Sequence, residues 1–206
     1  MSALQRRALE DLGGKYIIPV KTGRIDPAGL FGGREVVVEI GFGMGEATAE
    51  IAGNHPDTGF IGIEVHPPGI GKLLSEIEKR KLDNLLIIRH DAVEIFKTMI
   101  PDVCLAGIHI FFPDPWPKKK HHKRRLINPA FTEIISRKLK PGGYIHTATD
   151  WEEYADVILE VFRSNGMLEN RYDGYSGSTH LRPVTKFEMK GLKQDHVIRD
   201  IYFTRK

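Results

Sequence analysis

Residues 35–46, EVVVEIGFGMGE, contain the pattern that decides the fold of this chain. The first six residues form a continuous run rich in β-branched side chains, which is typical of a strand buried on both faces of a sheet. Glycines follow at positions 41, 43 and 45, and glycine permits a tight turn and a close approach of the backbone to a ligand. The stretch therefore predicts a buried strand that ends in a ligand-binding turn.

The alternation of strand and helix continues along the chain. Further apolar runs that predict strands cover residues 59–65, 84–92, 106–112 and 142–150, and segments with helical spacing follow them. Short connections between alternating strands and helices favour an α/β fold, with a mostly parallel sheet covered by helices on both faces. Residues 181–206 alternate around a glycine turn, which predicts a C-terminal antiparallel hairpin at the sheet edge.

Composition restricts the class of protein. A chain of 206 residues with 41% hydrophobic residues and a net charge of +3 is typical of a globular α/β protein. We expect an irregular arm or one short helix over residues 1–30 and a single domain over residues 31–206. Cys104 is the only cysteine, and a buried core residue is favoured over a nucleophile. No apolar stretch has the length of a membrane span, so we expect a soluble, cytoplasmic protein without membrane contact.

Acidic residues stand where the first three predicted strands end. Glu39 precedes the first glycine by two residues, Glu64 ends the second strand, and Asp91 follows the third. A dinucleotide-binding G-x-G-x-x-G turn would need glycine where Glu46 stands, whereas an acid before G-x-G-x-G is typical of class I methyltransferases that bind S-adenosylmethionine. A single acid here is more often a solvated loop residue, and Asp91 also fits a helix N-cap. The three together favour an adenosyl ligand, with Glu64 at the ribose.

The fourth predicted strand ends in the PDPWP loop (residues 113–117), and the basic run (residues 118–125, KKKHHKRR) follows directly. Three prolines restrict φ, so Asp114 and Trp116 are held with little conformational freedom. A fixed carboxylate beside an indole suits a flat, hydrogen-bonding substrate such as a purine. The alternative for the loop is a rigid turn with Trp116 packed in the core. The alternative for the basic run is a solvated charged face. The position of the basic run beside the loop favours a binding site for a phosphate backbone.

Six motifs in order make the chain similar to a known family. They are EIGFGMGE, GIEVH, RHDA, FFPDPWPKKKHHKRRL, PGGYIHTATD and TKFE, and they lie between residues 31 and 190. The chain resembles the bacterial tRNA (guanine-N7)-methyltransferase family, most specifically in the PDPWP loop and the basic run. The resemblance implies a Rossmann-like class I methyltransferase fold. It also implies methyl transfer from S-adenosylmethionine to N7 of a guanine in the tRNA variable loop, at position 46 of tRNA.

The resemblance further implies roles for individual residues. Those that match cofactor-binding positions are Glu39, Gly41, Gly43, Glu64, Asp91 and Asp114. Asp114 also matches the catalytic position. Those that match substrate contacts are Lys118, Asp150, Thr185, Lys186, Phe187 and Glu188. Those that match the RNA-contacting run are Lys120, His121, His122, Lys123, Arg124 and Arg125.

The chemistry of guanine N7 agrees with these residue types. N7 has a free lone pair, so the attacking nitrogen releases no proton and needs no general base. A carboxylate such as Asp114 can stabilise the positive charge that develops on the purine. A methyltransferase for another RNA and a non-catalytic RNA-binding module are the alternatives. The two adjacent histidines lack a third ligand, so we expect no metal, and the expected partner is tRNA, bound by a monomer or a homodimer.

Overall fold

The computed structural model describes residues 1–20, 23–176 and 197–206, which form one sheet with helices on both of its faces. The strands are β1 (Glu35–Ile40), β2 (Thr58–Ile63), β3 (Leu85–Ile88), β4 (Leu105–Phe111), β5 (Leu139–Thr149), β6 (Leu168–Asn170) and β7 (Arg199–Arg205). The helices are α1 (Ala3–Tyr16), α2 (Glu46–Asn54), α3 (Pro67–Arg80), α4 (Ala92–Thr98), α5 (Pro129–Lys138) and α6 (Glu152–Arg163). The mostly parallel α/β fold predicted from the sequence is confirmed.

The sheet buries both faces of its central strands. Val36 and Val38 of β1 pack into the cluster that contains side chains of α4, α5 and α6, whereas Val37 packs into the cluster formed with α1, α2 and α3. Complete burial of one such valine contributes roughly 1.5–3 kcal/mol relative to its exposure. The apolar run in β1 is therefore continuous because helices cover both faces of the sheet at this strand.

The strand order is β3-β2-β1-β4-β5-β7-β6, with β1 to β5 parallel. From β1 the chain proceeds outward through β2 and β3, and it then returns to the other side of β1 to form β4. Such a reversal opens a crevice between the carboxyl ends of the two central strands, where ligands bind in open α/β sheets. The crevice lies between the ends of β1 and β4.

The C-terminal strands are antiparallel, as predicted, but their arrangement differs from a simple edge hairpin. β7 pairs with β5 on one side and with the short β6 on the other, so β7 lies inside the sheet and β6 forms the edge. Of the predicted hairpin over residues 181–206, residues 197–206 are described and residues 181–196 lie outside the described part.

Of the two alternatives predicted for the N-terminal segment, an irregular arm and one short helix, the structure has a helix, α1. Ser2 caps α1 through a capping box with Gln5. The helix packs on α3, where a Cβ on Gly71 would collide with the carbonyl of Gln5 and where the Tyr16 hydroxyl donates to Glu78 at 3.0 Å. The division into residues 1–30 and 31–206 stays a prediction. None of the helices within the described ranges has the length and apolar composition that a membrane crossing requires.

Candidate active site

The glycine-rich turn after β1 adopts a conformation that depends on its glycines. Gly43 and Gly45 have φ angles of 58° and 73°, in the left-handed region that other residues seldom occupy. A Cβ on Gly45, the N-cap of α2, would also collide with the side chain of Leu73 in α3. Gly41 and Gly43 are exposed. The turn is therefore packed against α3 while its backbone stays accessible at the crevice.

Glu64 follows β2 and is hydrogen-bonded to this turn. One carboxylate oxygen accepts from the backbone N–H of Gly43 at 3.0 Å, and the other accepts from the N–H groups of Val65 at 2.7 Å and His66 at 3.0 Å. Three backbone donors thus orient one carboxylate. Glu64 lines the crevice together with Gly41.

Glu39 lies at the carboxyl end of β1, with a side chain that is buried between the sheet and α2. Only 5% of the residue is exposed, and burial raises the pKa of its carboxyl group to about 7. A cationic ligand beside Glu39 would favour the carboxylate.

Two adjoining cavities occupy the crevice. The first, of about 300 Å³, is lined by the glycine-rich turn and Glu39. The second, of about 390 Å³, is lined by Glu64 and Asp114. Gly41 and Phe112 border both cavities. Acidic residues from the ends of β1, β2 and β4 therefore surround one continuous stretch of the sheet edge.

The PDPWP loop continues from β4 with an unusual backbone. Phe112 and Trp116 have φ angles of 51° and 44°, and a bulky residue in this region costs about 1–3 kcal/mol. Trp116 is partly exposed and lines the second cavity with Asp114, so it is not a core residue. The guanidinium carbon of Arg124 lies 5.1 Å from the centroid of the Trp116 ring, within cation–π distance.

Arg125, the last member of the basic run, differs in its surroundings from the residues before it, and its predicted contact with RNA stays a prediction. The residue is only 4% exposed, and its guanidinium group donates hydrogen bonds to the Pro115 carbonyl and to the Glu153 carboxylate. A buried cation is tolerated only when protein groups pair with it, and here they accept hydrogen bonds from each of its three nitrogens. Arg125 therefore faces the interior of the protein, not solvent.

Comparison with known proteins assigns the chain to a family. A family model described as "Putative methyltransferase" matches residues 33–201. The chain is 53% identical over 205 residues to a tRNA (guanine-N(7)-)-methyltransferase of Nitrosomonas europaea, covering 99% of this chain and 92% of that protein. The chain belongs to the tRNA (guanine-N7)-methyltransferase family. A second member, from Chromobacterium violaceum, is 50% identical over 207 residues and is covered over 92% of its length.

Solved structures of methyltransferases share the fold of this family member. The 16S rRNA methyltransferase KamB superimposes with a TM-score of 0.63 at 14% identity, over 93% of this chain and 99% of that one. The aminoglycoside resistance methyltransferase NpmB1 gives a TM-score of 0.56 at 19% identity, over 84% and 88% of the two chains. The predicted class I methyltransferase fold is thereby confirmed.

The other members of the basic run lie on the surface beside the second cavity. Residues 119–124 form a 3₁₀ helix, and the side chains that it and its N-cap expose are Lys118, Lys119, Lys120, Lys123 and Arg124. His121 and His122 are partly exposed, and the ring of His121 meets the Trp116 ring edge-on, with centroids 5.9 Å apart. The run thus presents positive charge next to Asp114.

Three predicted positions lie apart from the two cavities. Asp91 is the N-cap of α4, where its carboxylate accepts from the Glu94 N–H at 3.0 Å, and it lines neither cavity. Asp150 follows β5 and lines a separate cavity of about 610 Å³ along α6. Lys118 is exposed and lines neither of the two crevice cavities. The predicted substrate residues outside the described part are Thr185, Lys186, Phe187 and Glu188.

Two features of the site were missed from the sequence. Phe112 borders both cavities and carries a left-handed backbone conformation, for which a bulky side chain offers no sequence signal. Glu153 pairs with Arg125 across 28 positions of the chain. The adjoining apolar residues Leu126 and Ile127 were the available hint that the basic run turns inward at Arg125.

Proposed function

We propose that this protein transfers a methyl group from S-adenosylmethionine to N7 of a guanine in tRNA, at position 46 in the variable loop. The observation that carries the proposal is the position of Asp114 and Trp116 in the wall of a cavity, beside the glycine-rich turn on one side and exposed lysines on the other. The tRNA (guanine-N(7)-)-methyltransferases to which the chain is about half identical support the substrate.

The residues of the crevice fit S-adenosylmethionine. The turn offers accessible backbone at Gly41 and Gly43, as close approach of a ligand requires. Glu39 would hold the positively charged methionine part, since a cation offsets the burial of its carboxylate. Glu64 would accept hydrogen bonds from the ribose. Asp91, although it caps α4, stands at the next strand end and would face the adenine. When bound, S-adenosylmethionine supplies an electrophilic methyl group.

Asp114 and Trp116 would bind the target guanine base. The Trp116 ring provides a flat apolar surface on which a purine can stack. The Asp114 carboxylate would accept hydrogen bonds from the guanine edge, and it would stabilise the positive charge that spreads over the purine as N7 is alkylated. No general base is required because N7 attacks with a free lone pair. Alignment of the base is therefore the main contribution of these residues to the rate.

The basic run would bind the RNA backbone through its exposed members. Lys120 and Lys123 project to solvent beside the second cavity, and Lys118 stands between them and the PDPWP loop. Each phosphate contact of this kind contributes about −0.7 to the log–log salt slope for a single strand. Asp150 and residues 185–188 are proposed to complete the substrate site. The proposed setting is the cytoplasm, where tRNA is available to a monomer or a homodimer.

The proposal is tested by incubating the protein with labelled S-adenosylmethionine and unmodified tRNA, followed by mass spectrometry of the nucleosides. We expect N7-methylguanosine with the wild-type protein and none with Asp114→Asn. Label in another nucleoside would contradict the assigned atom. Tight binding of tRNA and cofactor without any transfer would favour a non-catalytic RNA-binding module.

A further inference from the structure

Arg125 joins the PDPWP loop to helix α6. Its Nε donates to the carbonyl oxygen of Pro115 at 2.8 Å, and its two terminal nitrogens donate to the two carboxylate oxygens of Glu153 at 3.0 and 2.5 Å. Its guanidinium carbon lies 4.6 Å from the ring centroid of Tyr154. A carbonyl, a carboxylate and an aromatic ring therefore fix the guanidinium group in one place.

The Pro115 carbonyl lies at the middle of the PDPWP loop, between Asp114 and Trp116. The Pro115 carbonyl belongs to the peptide unit that leads into Trp116, so fixing it restrains the backbone from which Trp116 projects. Because the proline ring also fixes φ of Pro115, the restraint extends to the link with Asp114. Among the described residues, the bond from Arg125 is the only hydrogen bond to a backbone atom of residues 113–117. The left-handed backbone of Trp116 persists only where its surroundings restrain it. Arg125 supplies such a restraint.

We propose that Arg125 and Glu153 are positioning residues that hold Asp114 and Trp116 in the geometry needed to receive the base. The inference rests on the proposed function, because it assigns how the base-facing loop of that site is held. Arginine suits the position since its planar fork reaches a carbonyl and both oxygens of a carboxylate at once, which the single ammonium of lysine does not.

This role divides the basic run into two parts. Lys120 and Lys123 are exposed and can meet phosphates, whereas Arg125 is buried and its charge is matched by Glu153. The Arg125 guanidinium also holds the pKa of the Glu153 carboxyl below its usual range, so the pair stays ionised at neutral pH. Removal of Arg125 should consequently affect catalysis more than RNA affinity.

The test compares four variants of the full chain in steady-state methylation and in tRNA binding across a salt series. For Arg125→Lys we expect kcat to fall about 100-fold, with tRNA affinity and salt slope unchanged. Glu153→Gln should lower kcat in the same direction by about 10-fold. Lys123→Gln should show the reverse pattern, with weaker tRNA binding, a smaller salt slope and a rise in KM for tRNA that exceeds any change in kcat. Arg137→Lys is the matched control, because Arg137 also pairs with a glutamate, Glu133, but on the exposed surface of α5.

A second readout does not depend on activity. The chain has two tryptophans, so Trp151→Phe leaves Trp116 as the reporter of loop geometry. In that background, Arg125→Lys should shift the emission of Trp116, and coincident spectra would contradict the proposal. If the wild type fails to methylate guanine N7, the proposed function is wrong, while the fluorescence comparison still decides whether Arg125 holds the loop.

The kinetic outcomes also distinguish a positioning role of Arg125 from a role in RNA binding. Weaker tRNA binding with an unchanged kcat in Arg125→Lys would identify an RNA contact and overturn the proposal. If Arg125→Lys does not fold, Glu153→Gln decides, since Glu153 is half exposed and its removal leaves no cavity. A lower kcat in Glu153→Gln with unchanged tRNA affinity supports the proposal, and an unchanged kcat overturns it.

Discussion

The carboxylate of Glu64 accepts a hydrogen bond from the backbone N–H of Gly43 at 3.0 Å, so the end of β2 orients the glycine-rich turn that follows β1. The same carboxylate also accepts from two N–H groups of its own turn, at Val65 and His66. Replacement by glutamine would leave backbone donors facing an amide N–H₂. Both the turn and the proposed ribose contact therefore depend on one side chain.

Glu64→Gln is accordingly expected to weaken the binding of S-adenosylhomocysteine. A hydrogen bond to a charged group contributes about 1.5–3 kcal/mol, which corresponds to a rise in Kd of about 10-fold or more. Isothermal titration calorimetry measures this Kd directly. Glu78→Gln serves as the control, since Glu78 contacts Tyr16 away from the crevice. Equal Kd values for the Glu64→Gln variant and the wild type would contradict the role given to Glu64.

Glu39 predicts a specific pH dependence of stability in the protein without cofactor. Burial raises the pKa of its carboxyl group from 4.5 to about 7. Below 4.5 the group is protonated in both the folded and the unfolded state, and between 4.5 and 7 only the unfolded state ionises. The free energy of unfolding should therefore fall as pH rises through this window, by up to about 3 kcal/mol.

Glu39→Gln removes this ionisation. We expect the variant to gain stability over the wild type between pH 5 and pH 8, as measured by urea unfolding at each pH. Glu50→Gln, at an exposed position of α2, should follow the wild-type curve. Parallel curves for wild type and Glu39→Gln would show that Glu39 is ionised at no cost in the folded protein.

Gly69 and Gly14 provide a matched pair of glycine substitutions. A Cβ on Gly69 would collide with the carbonyl of Gly43, whereas a Cβ on Gly14 of α1 would meet nothing within 4 Å. Gly69→Ala should lower the free energy of unfolding by about 1–3 kcal/mol through overpacking and weaken cofactor binding by displacing the turn. Gly14→Ala should raise stability by about 0.5–1 kcal/mol. Stabilisation by both changes in urea unfolding would refute the packing of α3 on the turn.

The basic run predicts the salt dependence of tRNA binding. In the double variant Lys120→Gln/Lys123→Gln, the log–log salt slope should become shallower by about 1.4, twice the contribution of one single-strand contact. Binding of S-adenosylhomocysteine should not change. Arg137→Gln, which removes a distant surface charge, is the control. An unchanged slope in the double variant would place the RNA on another surface.

The parallel sheet could be predicted from the sequence because its strands leave a local signal. Five apolar runs alternate with helical segments, and their bounds agree with β1 to β5 to within a few residues. The placement of β7 between β5 and β6 left no such signal, since strand order depends on contacts between distant residues. The sequence left α1 open between an irregular arm and one short helix, because Gly13 and Gly14 lower helix propensity. Packing on α3 stabilises the helix.

The site was predictable where topology alone brings residues together. Glu39, Glu64 and Asp114 end or follow neighbouring strands, so a parallel sheet places them at one edge. Arg125 was not predictable in the same way, because a run of like charges is identical in sequence whether its last member faces solvent or the interior. Its burial depends on Glu153, which only the folded chain brings near.

The most direct measurement of the proposed reaction uses two tRNA transcripts that differ by one atom of one base. One carries guanine at position 46 of the variable loop, and the other carries 7-deazaguanine there, which retains the Watson–Crick edge but replaces N7 by carbon. We expect labelled methyl transfer from S-adenosylmethionine to the first transcript and none to the second, with similar affinity for both. Equal methylation of the two transcripts would contradict N7 of that guanine as the acceptor.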